Sequence, residues 1–319
     1  MNMKKLYTLL LIVAAAGVLR AQDEAIFTHT IVNPFLTNPG YAGMSGDHQL
    51  HFHMRNSWAG FKNAPGSYAV TWNGPVADRL GLGLVLFTEN AGALSRHRGQ
   101  LSYSYNFYAT QDFKLGAGLS TEFHQERLPN AILSNPTQQP GDEIIQDRVD
   151  GAQWFDASMG FYGDFRNTLY FGLSTANMVR ARLNDFDNNS FAEEIFQYWM
   201  FQLGYKFDLK EHDVILEPSV FIRRARTSPL LVDLGFRASF LDQRLTGGLV
   251  YRAGSGGMLG LMVGTSINTF RVLYSYDVGF QRFQEYSTGS HEITIGFALP
   301  GKAKKAAAAA AAENPPVQQ

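Results

Sequence analysis

The sequence predicts an all-β protein, a transmembrane antiparallel up-and-down β-barrel of about 14 strands. Three observations carry this. Short segments alternate apolar residues with small or polar ones; beyond the N-terminal run no uncharged apolar stretch approaches the roughly 20 residues of a spanning helix; and the long connections between segments all share one parity. The alternation is clearest in the last segment, where Ile293, Ile295, Phe297 and Leu299 share one face and Glu292, Thr294, Gly296 and Ala298 the other. A soluble sheet places long charged side chains on its wet face, whereas small and weakly polar residues opposite a greasy face suit a lumen opposite lipid.

Composition agrees with that class and excludes others. Only 17% of the 319 residues are charged, against about 25% in soluble domains. A formal net charge of −1, with scattered lysines and arginines, provides no electrostatic basis for nucleic acid. Without cysteine there is no disulfide, thiol chemistry, thiolate metal site or lipoprotein anchor.

In chain order, Lys4 and Lys5, the apolar run 6–18 and Ala21 read as an export signal over residues 1–21. Residues 22–46 read as a periplasmic pre-barrel segment, because two Asn-Pro steps force extended or turn backbone; carrying Phe27, Phe35 and Tyr41, it is expected to pack against the periplasmic mouth or enter the lumen and not to hang free. The barrel itself is expected over 47–299, with strands at 48–58, 66–74, 80–89, 97–108, 113–124, 153–162, 168–177, 195–207, 213–224, 229–240, 244–253, 258–267, 270–279 and 288–299. Within it, Leu101, Tyr103, Tyr105 and Phe107 alternate with Ser102, Ser104 and Asn106. The long connections 125–152, 178–194 and 280–287 share one parity, which places them outside an outer membrane and both termini in the periplasm. Residues 300–319, rich in alanine, lysine and proline, read as a flexible periplasmic tail.

The stretches FTHTIVNPFLTNPGYAG, RNSWAGFKNAPGSYAVTWNGP, RLGLGL and SHEITIGFAL together resemble the PorP/SprF family of type IX secretion system membrane proteins, from about Asp23 to Leu299. The resemblance implies an outer-membrane barrel that anchors or helps deliver a secreted, adhesin-like surface protein, with links to gliding motility. It also implies a periplasmic peptidoglycan-associated partner. Through it, Asn33, Pro34, Asn38, Pro39, Tyr41, Gly43, Arg55 and Trp58 become candidate partner-binding residues.

Arg223, Arg224 and Arg226 join them on chemistry alone, since guanidinium groups clustered beside an exterior loop either form a solvated rim or bind lipopolysaccharide phosphate or a protein carboxylate. The long-loop regions 132–149 and 186–191 are further candidates for contact with the cargo. No catalytic, cofactor or metal residue is expected. His51 and His53 share a strand face, with His48 nearby, but no carboxylate or cysteine on that face completes a zinc set. The Asp185–Asn189 run opens like a calcium loop, yet Ser190 replaces its glycine and Phe196 its glutamate. Gly81, Gly83, Gly116 and Gly118 lie in strands with no helix following, so they form no phosphate cradle. The alternative function is a porin or hydrophobic-compound channel, and the two differ in whether the lumen is open or filled.

Overall fold

The computed structural model describes residues 27–134, 142–179, 181–183, 198–225, 229–254, 256–281, 286–302 and 304–305. Its strands are β1 (Asp47–Asn56), β2 (Gly66–Ala77), β3 (Leu80–Ala91), β4 (Leu94–Thr110), β5 (Phe113–Arg127), β6 (Ala152–Phe165), β7 (Leu169–Thr175) and β8 (Ala181–Arg182). They continue as β9 (Trp199–Tyr205), β10 (Phe207–Leu209), β11 (Val214–Arg224), β12 (Leu231–Phe240), β13 (Leu245–Ala253), β14 (Met258–Ile267), β15 (Phe270–Gly279) and β16 (Ser290–Pro300). β9 and β10 form one stave interrupted at Lys206, and β8 is a two-residue strip on β6, so the cylinder has 14 staves, all paired antiparallel.

The first and last strands close it, in a register running from Asp47 opposite Pro300 to Asn56 opposite His291. Closure removes the unpaired edges that a bilayer does not tolerate. The period-2 pattern then sorts side chains between two solvents. In β4, Ser102, Ser104 and Asn106 are buried inward, while Leu101 and Tyr103 are 58% and 52% exposed on the outside. Such exposed apolar residues recur around the wall, among them Leu86, Leu119, Leu173, Leu249 and Leu261. A belt of this extent far exceeds the apolar patches that soluble monomers expose, and it matches a lipid-facing surface.

The two ends differ. At one end the turns are short: 78–79, 111–112, 166–168, 210–213, 241–244 and 268–269. The other end carries the long connections, which include the helix Glu143–Asp150. Asp142 caps this helix, its Oδ1 accepting from the Ile144 and Ile145 amides at 3.0 and 3.2 Å. Arg148 then ties it to the wall, donating from Nε to Glu126 at 3.1 Å. Strand bounds shift where pairing, not pattern, decides them. β4 pairs over 17 residues, well beyond 97–108, because β3 and β5 both supply partners along its length. The expected signal 1–21, the Asp185–Asn189 run, the candidate cargo region 186–191 and most of the tail lie outside the described residues.

Leu261 lies mid-strand on the lipid face and Thr246 faces the lumen. Leu261→Arg is expected to destabilise the barrel by about 2–4 kcal/mol, and Thr246→Arg by clearly less. Folding yield and heat-resistant migration in detergent gels compare the two, and equal losses would contradict the face assignment.

Candidate functional site

Of the two places expected for the pre-barrel segment, the periplasmic mouth and the lumen, residues 27–46 take the lumen. The two Asn-Pro steps account for their shape. Asn33 and Asn38 are kept out of the helical region by the following prolines, at φ −129° and −141°, and Asn38 is extended. Each proline then opens a short 3-10 turn, Pro34–Leu36 and Pro39–Tyr41, after a first turn at His29–Ile31. A chain folded into such turns leaves backbone groups unpaired, so it survives in a lumen only where the wall satisfies them.

The wall does so with inward polar side chains. Ser104 and Asn106 of β4 donate to the Gly40 and Ala42 carbonyls at 3.0 and 2.9 Å, and Ser174 of β7 donates to that of Thr37 at 2.8 Å. Lys114 of β5 reaches the Met44 carbonyl at 2.6 Å. Asn38 works in both directions, accepting from the Gly40 amide at 2.9 Å and donating to the Phe161 carbonyl at 2.9 Å.

Close approach is permitted by glycine. A Cβ at Gly83 would overlap the Phe35 ring, and one at Gly118 would overlap the Pro39 backbone. Phe35 itself is fully buried in a cluster with Phe27, Leu36, Ala42, Ala69, Val85 and Phe87.

At the end of the plug nearer the long loops sits an ionic clamp. Arg55 of β1 donates from Nη1 to Asp277 of β15 at 2.6 Å and to Glu292 of β16 at 2.9 Å. Glu292 also accepts the Thr28 and His29 amides at 2.7 and 3.0 Å, and the Thr28 hydroxyl donates to Asp277 at 2.9 Å. A chain of polar contacts continues from it. Thr294 Oγ1 lies 2.8 Å from both His29 Nδ1 and His53 Nδ1, and Asn33 Nδ2 lies 2.9 Å from His53 Nε2 and 2.8 Å from the Thr71 hydroxyl. Every residue in this chain is at least nine-tenths buried. Glu292 thus meets a cation and two amide donors, and Asp277 Oδ2 meets the same cation and the Thr28 hydroxyl, pairing of the kind that buried charge requires.

The candidate residues therefore separate into groups. Asn33, Pro34, Asn38, Pro39, Gly43 and Arg55 are buried as parts of the plug and its clamp, not displayed to a partner. Tyr41 packs edge-on against Tyr162, with centroids 4.9 Å apart. Trp58 lies at the long-loop mouth, its amide donating to Ser290 Oγ at 3.0 Å. Arg223 and Arg224 do not form one basic cluster, because adjacent strand residues point to opposite faces; Arg226 lies outside the described residues.

His48 stacks on Trp72 at the outer face, away from His51 and His53, and both ring nitrogens of His53 are engaged by Thr294 and Asn33. Sequence reasoning passed over Thr28, His29, Asp277 and Glu292. Their signal is present, since Asp277 and Glu292 are charges at inward positions of alternating strands, but which groups meet them depends on closure.

A family model described as "Type IX secretion system membrane protein PorP/SprF" matches residues 19–297. The chain belongs to that family. With the barrel, family membership places the protein in the outer membrane. Among solved structures it is similar to the TodX deltaS2S3 mutant monoaromatic hydrocarbon channel, at 9% identity and a TM-score of 0.47, covering 86% of this chain and 95% of that one. It is similar also to the KdgM porin, at 6%, 0.39, 78% and 98%, and to outer membrane phospholipase A from Escherichia coli, at 10%, 0.35, 87% and 99%. Among curated proteins, none matches.

Removing the clamp cation leaves two buried carboxylates facing each other, a change that costs about 3–5 kcal/mol for a buried pair. Arg55→Met is thus expected to lower stability by about that amount, and Gly118→Val to unseat the plug by overlap. Limited proteolysis within residues 27–46 of the folded barrel should accelerate in both variants; an unchanged cleavage rate would argue against the seat described.

Proposed function

We propose that this barrel is a non-enzymatic component that anchors or helps deliver an adhesin-like surface protein exported by the type IX system. The supporting observation is that its own residues 27–46 fill part of the lumen and are latched there by a buried ionic clamp. A barrel closed in this way works through its ends. In this reading the long connections face the exterior and meet the cargo, while the short turns face the periplasm. The tail begins at that periplasmic mouth, where Lys304 pairs with Asp47 at 2.8 Å, within reach of a peptidoglycan-associated protein.

Deleting the gene should remove a cognate adhesin from the cell surface, or release it into the medium, with small-solute uptake nearly unchanged. Normal display combined with lost permeability would instead favour the porin or hydrophobic-compound channel. For orientation, a tag inserted after Asn63 should be accessible on intact cells and one after Asp242 should not; the reverse labelling would invert the assignment.

In planar bilayers the intact protein should be nearly silent and a variant lacking residues 27–46 should conduct. Steady conductance by the intact protein would remove the basis of the anchoring reading.

A further inference from the structure

The plug leans towards one side of the lumen. Its carbonyls are held by β4, β5 and β7, its Gly43 amide by Asn73 of β2 and its clamp by β1, β15 and β16, while a cavity of about 200 Å³ remains between Ile31, Val32, Pro34 and Tyr41 and a wall that runs from Tyr162 of β6 and Tyr170 of β7 through Lys206 and β11–β15 to Gln49 of β1. Towards the long loops the cavity is closed by Val32 packed on Val250, Met262 and Leu273. Gln243 in a short turn and Ser266 beside another line its far end, and both Gln243 and Arg271 are exposed, so it opens at the short-turn mouth.

Its charge is unbalanced. Three cations line it, Lys206, Arg237 and Arg271, against one carboxylate, Glu217. Glu217 is already committed to the Arg237 guanidinium and to the Tyr170 hydroxyl, which donates to it at 2.8 Å. Arg271 donates from Nε to Ser266 at 3.0 Å, and Lys206 Nζ sits 5.8 Å from the Tyr170 ring centroid; among the described residues neither has a carboxylate partner. The Arg237 Nε is buried without an acceptor. A buried donor such as the Arg237 Nε is costly to leave unmatched, and the more open Arg271 guanidinium presents a planar fork that suits an oxyanion.

We propose that this blind cavity binds a carboxylate carried on a short apolar stem and entering from the short-turn mouth. The ligand's charge meets Arg271 and Lys206, and its stem lies against Ile31, Pro34 and Leu273. The volume is below the roughly 300–1,000 Å³ of sites for drug-sized molecules, so it takes a small acid or the acidic end of a polypeptide, not a folded element. Those two sources share one chemistry and are separable by experiment.

The purified full chain in detergent would be titrated calorimetrically with butyrate, with inorganic phosphate, and with N-acetyl-Ala-Ala-Val as the free acid and as the amide. The acid forms should bind, with the amide at least about tenfold weaker. Arg271→Gln and Lys206→Gln, each verified as folded by heat-resistant migration, should each weaken binding about tenfold, whereas Arg244→Gln in the neighbouring turn should not. Much tighter binding of the peptide acid than of butyrate assigns the ligand to a polypeptide; equal binding assigns it to a free small acid. Binding of no carboxylate, equal binding of acid and amide, tighter binding of phosphate than of either acid, or indifference to both substitutions would overturn the proposal. Because the measurement uses the isolated barrel, its outcome is independent of whether an adhesin is the cargo.

Discussion

The interaction on which the rest of the structure depends is the charge clamp at Arg55. It stands at the seam where β1 and β16 close the cylinder, and it holds three strands and the plug at one point. In water such a contact contributes little; enclosed by protein and lipid it is far stronger, and so is the penalty for leaving any member unpaired. Glu292 is the residue that makes it a clamp and not merely a salt bridge. Its two oxygens accept from Arg55 and from two plug amides, so the seam and the plug share a single carboxylate.

The composition of the inner wall follows the position of the plug. Where the plug lies close, inward positions are small, as at Gly81, Gly83, Ser102, Ser104, Gly116 and Gly118. Where it stands off, they become Glu217, Arg237 and Arg271, with the Arg252–Asp233 pair at 2.7 Å above them. One side of the lumen is shaped to receive backbone, and the other retains a charged, water-accessible surface. Packing accounts for the first, since a single Cβ at Gly83 would displace Phe35.

This division shows what was legible in the sequence. The cylinder was legible, because a period of two and a parity of connection lengths are local properties that survive whatever the strands pair with. The turns of residues 27–46 were legible as well, through Asn33-Pro34 and Asn38-Pro39. Their aromatic residues narrowed their place to the periplasmic mouth or the lumen, without choosing between them. A proline step fixes dihedral angles, and nothing in it states whether the resulting turn lies below a barrel or within one. Gly81, Gly83, Gly116 and Gly118 were visible as strand glycines on an inward face, and the reason for them, a polypeptide in contact with that face, required closure to appear. The same holds for the clamp. Arg55, Asp277 and Glu292 each stand as an isolated charge in an alternating strand, and their meeting is a long-range fact. For the arginines at the end of β11 the sequence suggested proximity where the strand's own alternation separates Arg223 from Arg224.

That long range bears on how the molecule is assembled. The amide of Thr28 bonds to a carboxylate 264 residues away, and Arg55 bonds to one 222 residues away. The last strands therefore supply the groups that hold the first residues. The partners of Thr37, Gly40, Ala42 and Met44 lie on β4, β5 and β7, whereas the Thr28 and His29 amides have theirs only once β16 is in place, and loop-closure entropy opposes an earlier latch. Seating of the plug thus doubles as a record that the sheet has been completed. A chain that lost its final strand would leave the interior unlatched and its N-terminal turns open to proteases, which makes the same few hydrogen bonds a means of distinguishing finished barrels from unfinished ones.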